Sequence, residues 1–364
     1  MTTHSKELHM TTIWDPITVG RMSLGHRLAL SPLTRSRALP DGTPGPHAAE
    51  YYSQRASLGL LITEGTQPSA DGQGFPNTPG IYSDAHVAGW SKVATAVHEK
   101  GGHLFIQLMH AGRMAHPSNR THDRVPLAPS AVRPEEKMYT NSGLLEVPVP
   151  QALSEAGIRD TIADFRRAAA KAVEAGADGV EIHGANGYLV QQFLSPNTNT
   201  RSDAYGGSIE NRARFALEVA EAVSKEIGAD RTGIRLSPGS RLSSIDEGDS
   251  YAPLYRYLTA ELAKLDLVYL HVVHSGNEEL LRDIRALWPN TLLVIRPNRP
   301  IEDIGMDVEA GLADVVPVGR WALANPDFVE RLRRSAPLNT ADHTTFYGGG
   351  AEGYTDYPTL EAAE

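Results

Sequence analysis

Short runs of β-branched and leucine residues alternate with longer amphipathic segments along nearly the whole chain. Eight runs have the length and composition of buried strands: 27–31, 59–63, 103–108, 179–182, 232–236, 267–271, 292–295 and 314–318. Between them, "SDAHVAGWSKVATAVHEKG" (83–101) and "GIRDTIADFRRAAAKAVEAG" (157–176) predict helices. In the second, Ile158, Ile162, Phe165, Ala169 and Val173 recur at spacings of three or four and form one apolar stripe. Gly176 stands where a helix C-cap is expected, directly before the next strand. Strands interleaved with helices in this way predict an α/β protein with (β/α)8 TIM-barrel architecture. A doubly wound sheet is the alternative, but the stretch after the first strand, "PLTRSRALPDG", lacks the glycine spacing of a dinucleotide fingerprint. The longest interruption, 111–157, is rich in proline and polar residues. It predicts a small β-hairpin excursion after strand 3, lying over one end of the barrel. Residues 13–364 are expected to form one domain, preceded by a flexible tail over 1–12.

Chemistry in such barrels collects at the C-terminal ends of the strands. Just past the predicted strands stand Pro32-Leu33-Thr34, Glu64-Gly65-Thr66, Gln107, His183 with Asn186, Arg235, Arg296-Pro297-Asn298 and Gly319-Arg320. Donors dominate and carboxylates are few, which suits an anionic or electron-rich ligand. Loops after the seventh and eighth strands often bind phosphate. In "VGRWALANPDFVERL" a glycine lets the backbone approach a ligand, and Arg320 either pairs with a phosphate or bridges across the barrel rim. A histidine after a strand is commonly structural, and an asparagine commonly closes a turn. Together with Tyr188, however, His183 and Asn186 form a donor set able to stabilise negative charge on a substrate oxygen, and Tyr188 can give up a proton.

Composition narrows the partners. The 364 residues suffice for one large barrel or two ordinary domains, and the net charge of −10 argues against nucleic acid. No apolar run approaches the ~20 residues of a membrane span, and "MTTHSKELHMTT" lacks the apolar centre of a secretory signal. The absence of cysteine excludes disulfides and thiolate metal sites. A soluble, cytoplasmic monomer or homodimer without bound metal is expected. A Schiff-base aldolase would want a lysine at a strand end, where only Glu64 offers a candidate carboxylate. A zinc hydrolase would want clustered ligands, yet His103, His110, His116 and His122 show no HExxH spacing, and His271 and His274 fall on opposite faces of a strand. A ligand-binding protein without turnover would be expected to lack the proton donor.

The run "EIHGANGYLVQQFLSPNTNTRSDAYGGSIENRARFALEV" (181–219) resembles the central signature of the Old Yellow Enzyme family of FMN-dependent ene-reductases. In the family's order also come "WDPITVG" (14–20), "LALSPLTRSRA" (28–38), "FIQLMHAGR" (105–113), "GIRLSP" (233–238), "ANPDF" (324–328) and "FYGGGAEGYTDYP" (346–358). The last is similar to the tail of bacterial pentaerythritol tetranitrate and N-ethylmaleimide reductases. The resemblance implies FMN as cofactor and NADPH, or else NADH, as reductant. Small electron-poor alkenes, namely α,β-unsaturated carbonyl or nitro compounds, are the implied substrates, with nitro or nitrate-ester reduction as an extension. It further implies that Thr34, Gly65, Gln107 and Arg235 contact the isoalloxazine ring and ribityl chain, with Pro32 and Leu33 lining the ring. Arg235 would favour the anionic reduced flavin, and Gly319 and Arg320 would hold the phosphate. His183 and Asn186 would hold the substrate oxygen and Tyr188 would protonate Cα, in a pocket also lined by Thr34, Phe75, Met109 and Tyr354. The chain departs from many relatives in "VIRPNRPIED" (294–303), where a glycine-rich turn is usual; Asn298 tolerates the left-handed conformation that replaces it. Met109 stands where several relatives have tryptophan and Phe75 where some have tyrosine. The loop "SPGSRLSSIDEGDS" (237–250) receives no role.

Overall fold

The computed structural model describes residues 10–361, so the tail expected over 1–12 falls outside the described residues up to position 9. Eight parallel strands make the central sheet: β1 (Leu28–Leu30), β2 (Leu60–Ile62), β3 (His103–Leu108), β4 (Gly179–Gly184), β5 (Thr232–Leu236), β6 (Tyr269–Val273), β7 (Thr291–Ile295) and β8 (Val316–Val318). They pair in chain order, and β8 pairs with β1. The bridge between Leu293 and Val315 closes the barrel, with the Asp314 N–H donating to the Leu292 carbonyl at 2.8 Å. Helices follow the strands: α1 (Ala48–Gln54), α2 (Asp84–His98), α3 (Glu155–Glu174), α4 (Ile209–Ile227), α5 (Tyr251–Ala263), α6 (Glu278–Leu287), α7 (Met306–Glu309) and α8 (Phe328–Arg334). The fold is the expected (β/α)8 barrel. Among the described residues, no helix is long and apolar enough to cross a membrane.

All eight expected strands are present. The sixth lies two residues further along than the pattern suggested, because the Val268 N–H is already taken by the Ala229 and Thr232 carbonyls and laddered pairing starts at Tyr269. The fourth runs on through His183 and Gly184, which carries His183 on the strand itself. Helix α3 starts two residues before the predicted segment because the Ser154 hydroxyl accepts the Gly157 N–H at 3.1 Å. Gly176, at φ +92°, follows its end. The excursion after β3 contains the expected hairpin, Lys137–Thr140 against Gly143–Glu146, and also a parallel pair, Leu127–Ala128 with Gln151–Ala152.

Two layers fill the barrel. The lower one is apolar and is plugged from the N-terminal side by a hairpin, Ile17–Val19 and Met22–Leu24, that the sequence pattern did not reveal. Val19, Met22 and Leu24 pack there with Leu60, Ile62, Phe105, Tyr269 and Leu293. The rings of Phe105 and Tyr269 lie 5.5 Å apart, and two glycines make room for them. A Cβ on Gly179 would stand 2.5 Å from the Phe105 ring, and one on Gly233 2.3 Å from the Tyr269 ring. Above this layer the interior turns polar.

Gly233 has no left-handed φ, so Gly233→Ala tests sterics alone. The methyl must push against a ring packed on all sides, and overpacking of this kind costs about 1–3 kcal/mol. Urea unfolding should show that loss; an unchanged midpoint would mean that the ring moves aside freely.

Candidate active site

Side chains alternate along a strand, so Glu181 and His183 point from β4 to the same side, into the barrel. Register sets Gln107 beside Glu181, His183 beside Arg235, and Arg235 beside His271. The Gln107 amide donates to one oxygen of the Glu181 carboxylate at 2.7 Å, and His271 Nδ1 meets the other at 2.9 Å. Burial acts to raise the Glu181 carboxyl, but His271, Arg235 and Gln107 outweigh it and hold the group below the ordinary range. His183 experiences the opposite balance. Burial, then the Arg235 and His271 charges, push its imidazole well below its usual value, so it is neutral. His183 Nδ1, Arg235 Nε and His271 Nε2 are buried without a hydrogen-bond partner among the described residues. Each such orphan costs about 1–3 kcal/mol unless a ligand or water meets it.

The donors past β4 sit on a strained turn. Asn186 and Gly187 both adopt left-handed φ, +57° and +82°. The Asn186 N–H donates to Ser237 Oγ at 2.9 Å, and the Gly187 N–H to Gln191 Oε1 at 2.8 Å. A Cβ at Gly187 would approach Ser243 to 2.4 Å, so only glycine fits. Tyr188 then begins the short helix Leu189–Leu194, where the buried amides of Gln191 and Gln192 tie the turn from beneath. Its ring lies 5.1 Å from that of His183 and 6.4 Å from Phe75, edge-on. Burial, with Tyr347 nearby, pushes the Tyr188 hydroxyl up to about 12, so the phenol keeps its proton at neutral pH.

Two cavities meet along the loop after β1. The first, about 290 Å³, is lined by Pro32, Leu33 and Arg235 at one side and by Asn298, Gly319 and Arg320 at the other. Asn298 has φ +66°, the conformation that the substituted glycine-rich turn requires. Arg320 makes no ion pair among the described residues, so the rim bridge that its position allowed does not form; Arg296 and Arg299 are instead tied to Asp307. The second cavity, about 540 Å³, is lined by Thr34, Phe75, Tyr188, Tyr139 and Asn141 of the hairpin, and Tyr347. Gly65 is buried against Met109, whose sulfur would stand 2.5 Å from a Cβ there, and Met109 itself is buried rather than lining this cavity.

Tyr354 lies elsewhere than expected. Its ring stacks on Tyr51 at 4.2 Å under the Arg35 and Arg37 guanidiniums, in the core. Arg35 and Arg37 also donate to backbone carbonyls of Thr345, Phe346, Gly350, Glu352 and Gly353. That clamp folds the C-terminal segment over the barrel and presents Tyr347, not Tyr354, to the cavity. Glu64 supports the same loop from below by accepting the Arg35 and Ser36 N–H groups at 2.9 and 3.2 Å. Glu181, His271, Gln191, Gln192 and Tyr347 were absent from the sequence-based site. The shared parity of Glu181 and His183 was the one signal available for any of them.

The family model for the NADH:flavin oxidoreductase / NADH oxidase family matches residues 12–339. The chain belongs to that family, the Old Yellow Enzyme family of FMN-dependent NAD(P)H oxidoreductases. It is 41% identical over 367 residues to chanoclavine-I aldehyde reductase of Penicillium roqueforti, covering 96% of each chain. To 12-oxophytodienoate reductase 2 of Arabidopsis thaliana it is 41% identical over 361 residues, covering 95% of each. Morphinone reductase in complex with tetrahydroNAD superimposes with a TM-score of 0.92 at 41% identity, over 97% of this chain and 99% of that one. The old yellow enzyme homologue from Zymomonas mobilis does so with a TM-score of 0.92 at 36% identity, over 96% of this chain and 100% of its own. The orphaned Arg235 nitrogen and the single glycine–arginine end line one cavity and fit a flat polar ring carrying one phosphate, which is FMN.

Burial pushes the Glu64 carboxyl up to about 7, against the Arg35 and Ser36 amides and the Arg35 and Arg37 charges. The folded state therefore holds this proton more tightly than the unfolded chain. The resulting stability is fully present below about pH 4.5, the unfolded value, and is lost as pH rises through about 7. Glu64→Gln lacks the titration. Relative to it, the wild type should lose about 3 kcal/mol of unfolding free energy between pH 4.5 and 8. A pH-independent difference would show that Glu64 ionises normally.

Proposed function

We propose that the chain is an ene-reductase that reduces the C=C bond of α,β-unsaturated carbonyl or nitro compounds, with NADPH or NADH as reductant. The observation that carries the proposal is the neutral, partnerless His183 imidazole beside the Asn186 turn and the protonated Tyr188. When bound, FMN supplies hydride chemistry, which no side chain provides. Pro32, Leu33, Thr34, Gly65, Gln107 and Arg235 would hold its ring and ribityl chain, and Asn298, Gly319 and Arg320 its phosphate.

The chain's own part is electrostatic and acid–base. His183 and Asn186 each donate to the carbonyl or nitro oxygen, drawing electron density from the alkene and stabilising the charge that grows on that oxygen. Charged imidazolium is not needed: a neutral ring has one N–H to give. Tyr188 delivers its proton to Cα. Thr34 and Phe75 line the cavity that receives the rest of the substrate. Relatives named for an aldehyde and for an oxo compound, chanoclavine-I aldehyde reductase and 12-oxophytodienoate reductase 2, support a substrate with such an oxygen. Nitro groups and nitrate esters present oxygen to the same donors and extend the substrate range.

Removing either donor, by His183→Ala or Asn186→Ala, should weaken phenolic inhibitors and raise the barrier with 2-cyclohexenone by roughly 2–4 kcal/mol. Intact inhibitor affinity in both variants would show that the pair does not face the ligand.

Tyr188→Phe removes only the hydroxyl. Reduction of the enzyme by NADPH should proceed near the wild-type rate, while the half-reaction with 2-cyclohexenone should slow by ~10²–10⁴-fold. Nitroaromatics and nitrate esters, reduced at the nitro group itself, need no proton at that carbon and should be much less affected. Stopped-flow measurement of each half-reaction decides the matter, since equal slowing with enone and nitro acceptors excludes Tyr188 as the proton donor.

A further inference from the structure

We propose that Glu247 is a positioning residue for the donor set, acting through Gln191 on the Asn186–Gly187 turn. This rests on the ene-reductase reading for its functional meaning, though the linkage itself is structural. Glu247 lies in the loop 237–250 that follows β5, and its carboxylate is buried. One oxygen accepts the Tyr255 hydroxyl at 2.6 Å and the Gln191 amide at 3.1 Å; the other accepts the Gly239 N–H at 2.8 Å. Burial pushes the carboxyl up, and these three donors together with Arg212 oppose that push.

The orientation of Gln191 follows. Its carbonyl oxygen accepts the Gly187 N–H at 2.8 Å and the Ser237 hydroxyl at 3.0 Å, so its NH₂ must face Glu247. Ser237 Oγ in turn accepts the Asn186 N–H at 2.9 Å. A continuous chain thus runs from Glu247 through Gln191 and Ser237 to the two left-handed residues beside His183 and Tyr188. The loop adds a second hold: the Ser243 hydroxyl donates to the Asn186 carbonyl at 3.0 Å. Ser243 and Ser244 are themselves left-handed, at φ +59° and +55°, and Arg113 donates to both of their carbonyls. Three donors converge on Glu247, and only an acceptor-only group meets all of them. With glutamine at that position, either orientation of the amide sets one NH₂ against a donor.

The test uses Glu247→Gln in the flavin-loaded enzyme, with Ser237→Ala as a smaller cut in the same chain. Hydrogen–deuterium exchange of the peptide containing Asn186 and Gly187 should accelerate in both variants. Unchanged protection overturns the linkage. The value of kcat/KM with 2-cyclohexenone should fall roughly 10-fold in Glu247→Gln, a coupling in the usual range for residues of one network. In an Asn186→Ala background the same substitution should have little further effect. A loss that persists undiminished there overturns the positioning role, because Glu247 would then act by general stability. Lost protection together with an Asn186→Ala variant of normal activity supports the linkage and instead removes Asn186 from the proposed reaction.

Discussion

A single buried carboxylate organises the barrel mouth. Glu181 stands where the interior changes from apolar to polar, with Gln107 on one oxygen and His271 on the other. Apolar residues of similar volume would make a buried position like this at least as stable. An uncompensated charge there would be severely destabilising, so Arg235 must remain close and charged. Arg235 is held by attraction to Glu181 and not by a full set of hydrogen bonds, which leaves its Nε without a partner. Burial first, and then the same positive charge, depress His183 and keep it neutral. One carboxylate thereby holds a cation at the mouth beside a neutral imidazole, and both are left with hydrogen-bonding capacity for a ligand.

The other constraint comes from the end of the chain. Arg35 and Arg37 use guanidinium donors on backbone carbonyls, so they hold the path of residues 345–353 whatever side chains it carries. Arg55, fully buried, does the same for Ala322 and Leu323 beyond β8. The loop after β1 is consequently fixed on one side by Glu64 and on the other by the tail. Its residues Pro32 and Leu33 line the first cavity and the adjoining Thr34 lines the second. A disturbance of the tail reaches both cavities through this loop.

The barrel was legible because eight apolar runs and the helical stripes between them are local signals, and tertiary packing moved the strand ends by no more than two residues. The donor set was legible for a similar reason, since His183, Asn186 and Tyr188 lie within six residues. What escaped depends on distance or on glycine. Glu181 and His271 are 90 positions apart, and no local pattern joins them. In "FYGGGAEGYTDYP" the choice between Tyr347 and Tyr354 is made by left-handed Gly348, Gly349 and Gly353, whose path only tertiary contacts define. The N-terminal plug escaped because its two strands are three residues each, below the length at which alternation can be recognised.

The two ends of the proposed substrate site are built differently. Around the donors nearly every polar group is buried and bonded: Gln191, Gln192, Ser237 and Glu247 surround a turn that admits no Cβ at Gly187. Across the cavity, Tyr139 and Tyr347 are 65% and 68% exposed and stand on a hairpin and a clamped tail. Preorganised donors need the first kind of support, because a displacement of an ångström at a reacting oxygen costs a large factor in rate. A wall that meets the remainder of the substrate tolerates change, as loops on a rigid scaffold generally do. In the proposed reaction the chemistry is thus tied to the interior network, whereas substrate choice falls to the outer wall, whose replacement leaves that network untouched.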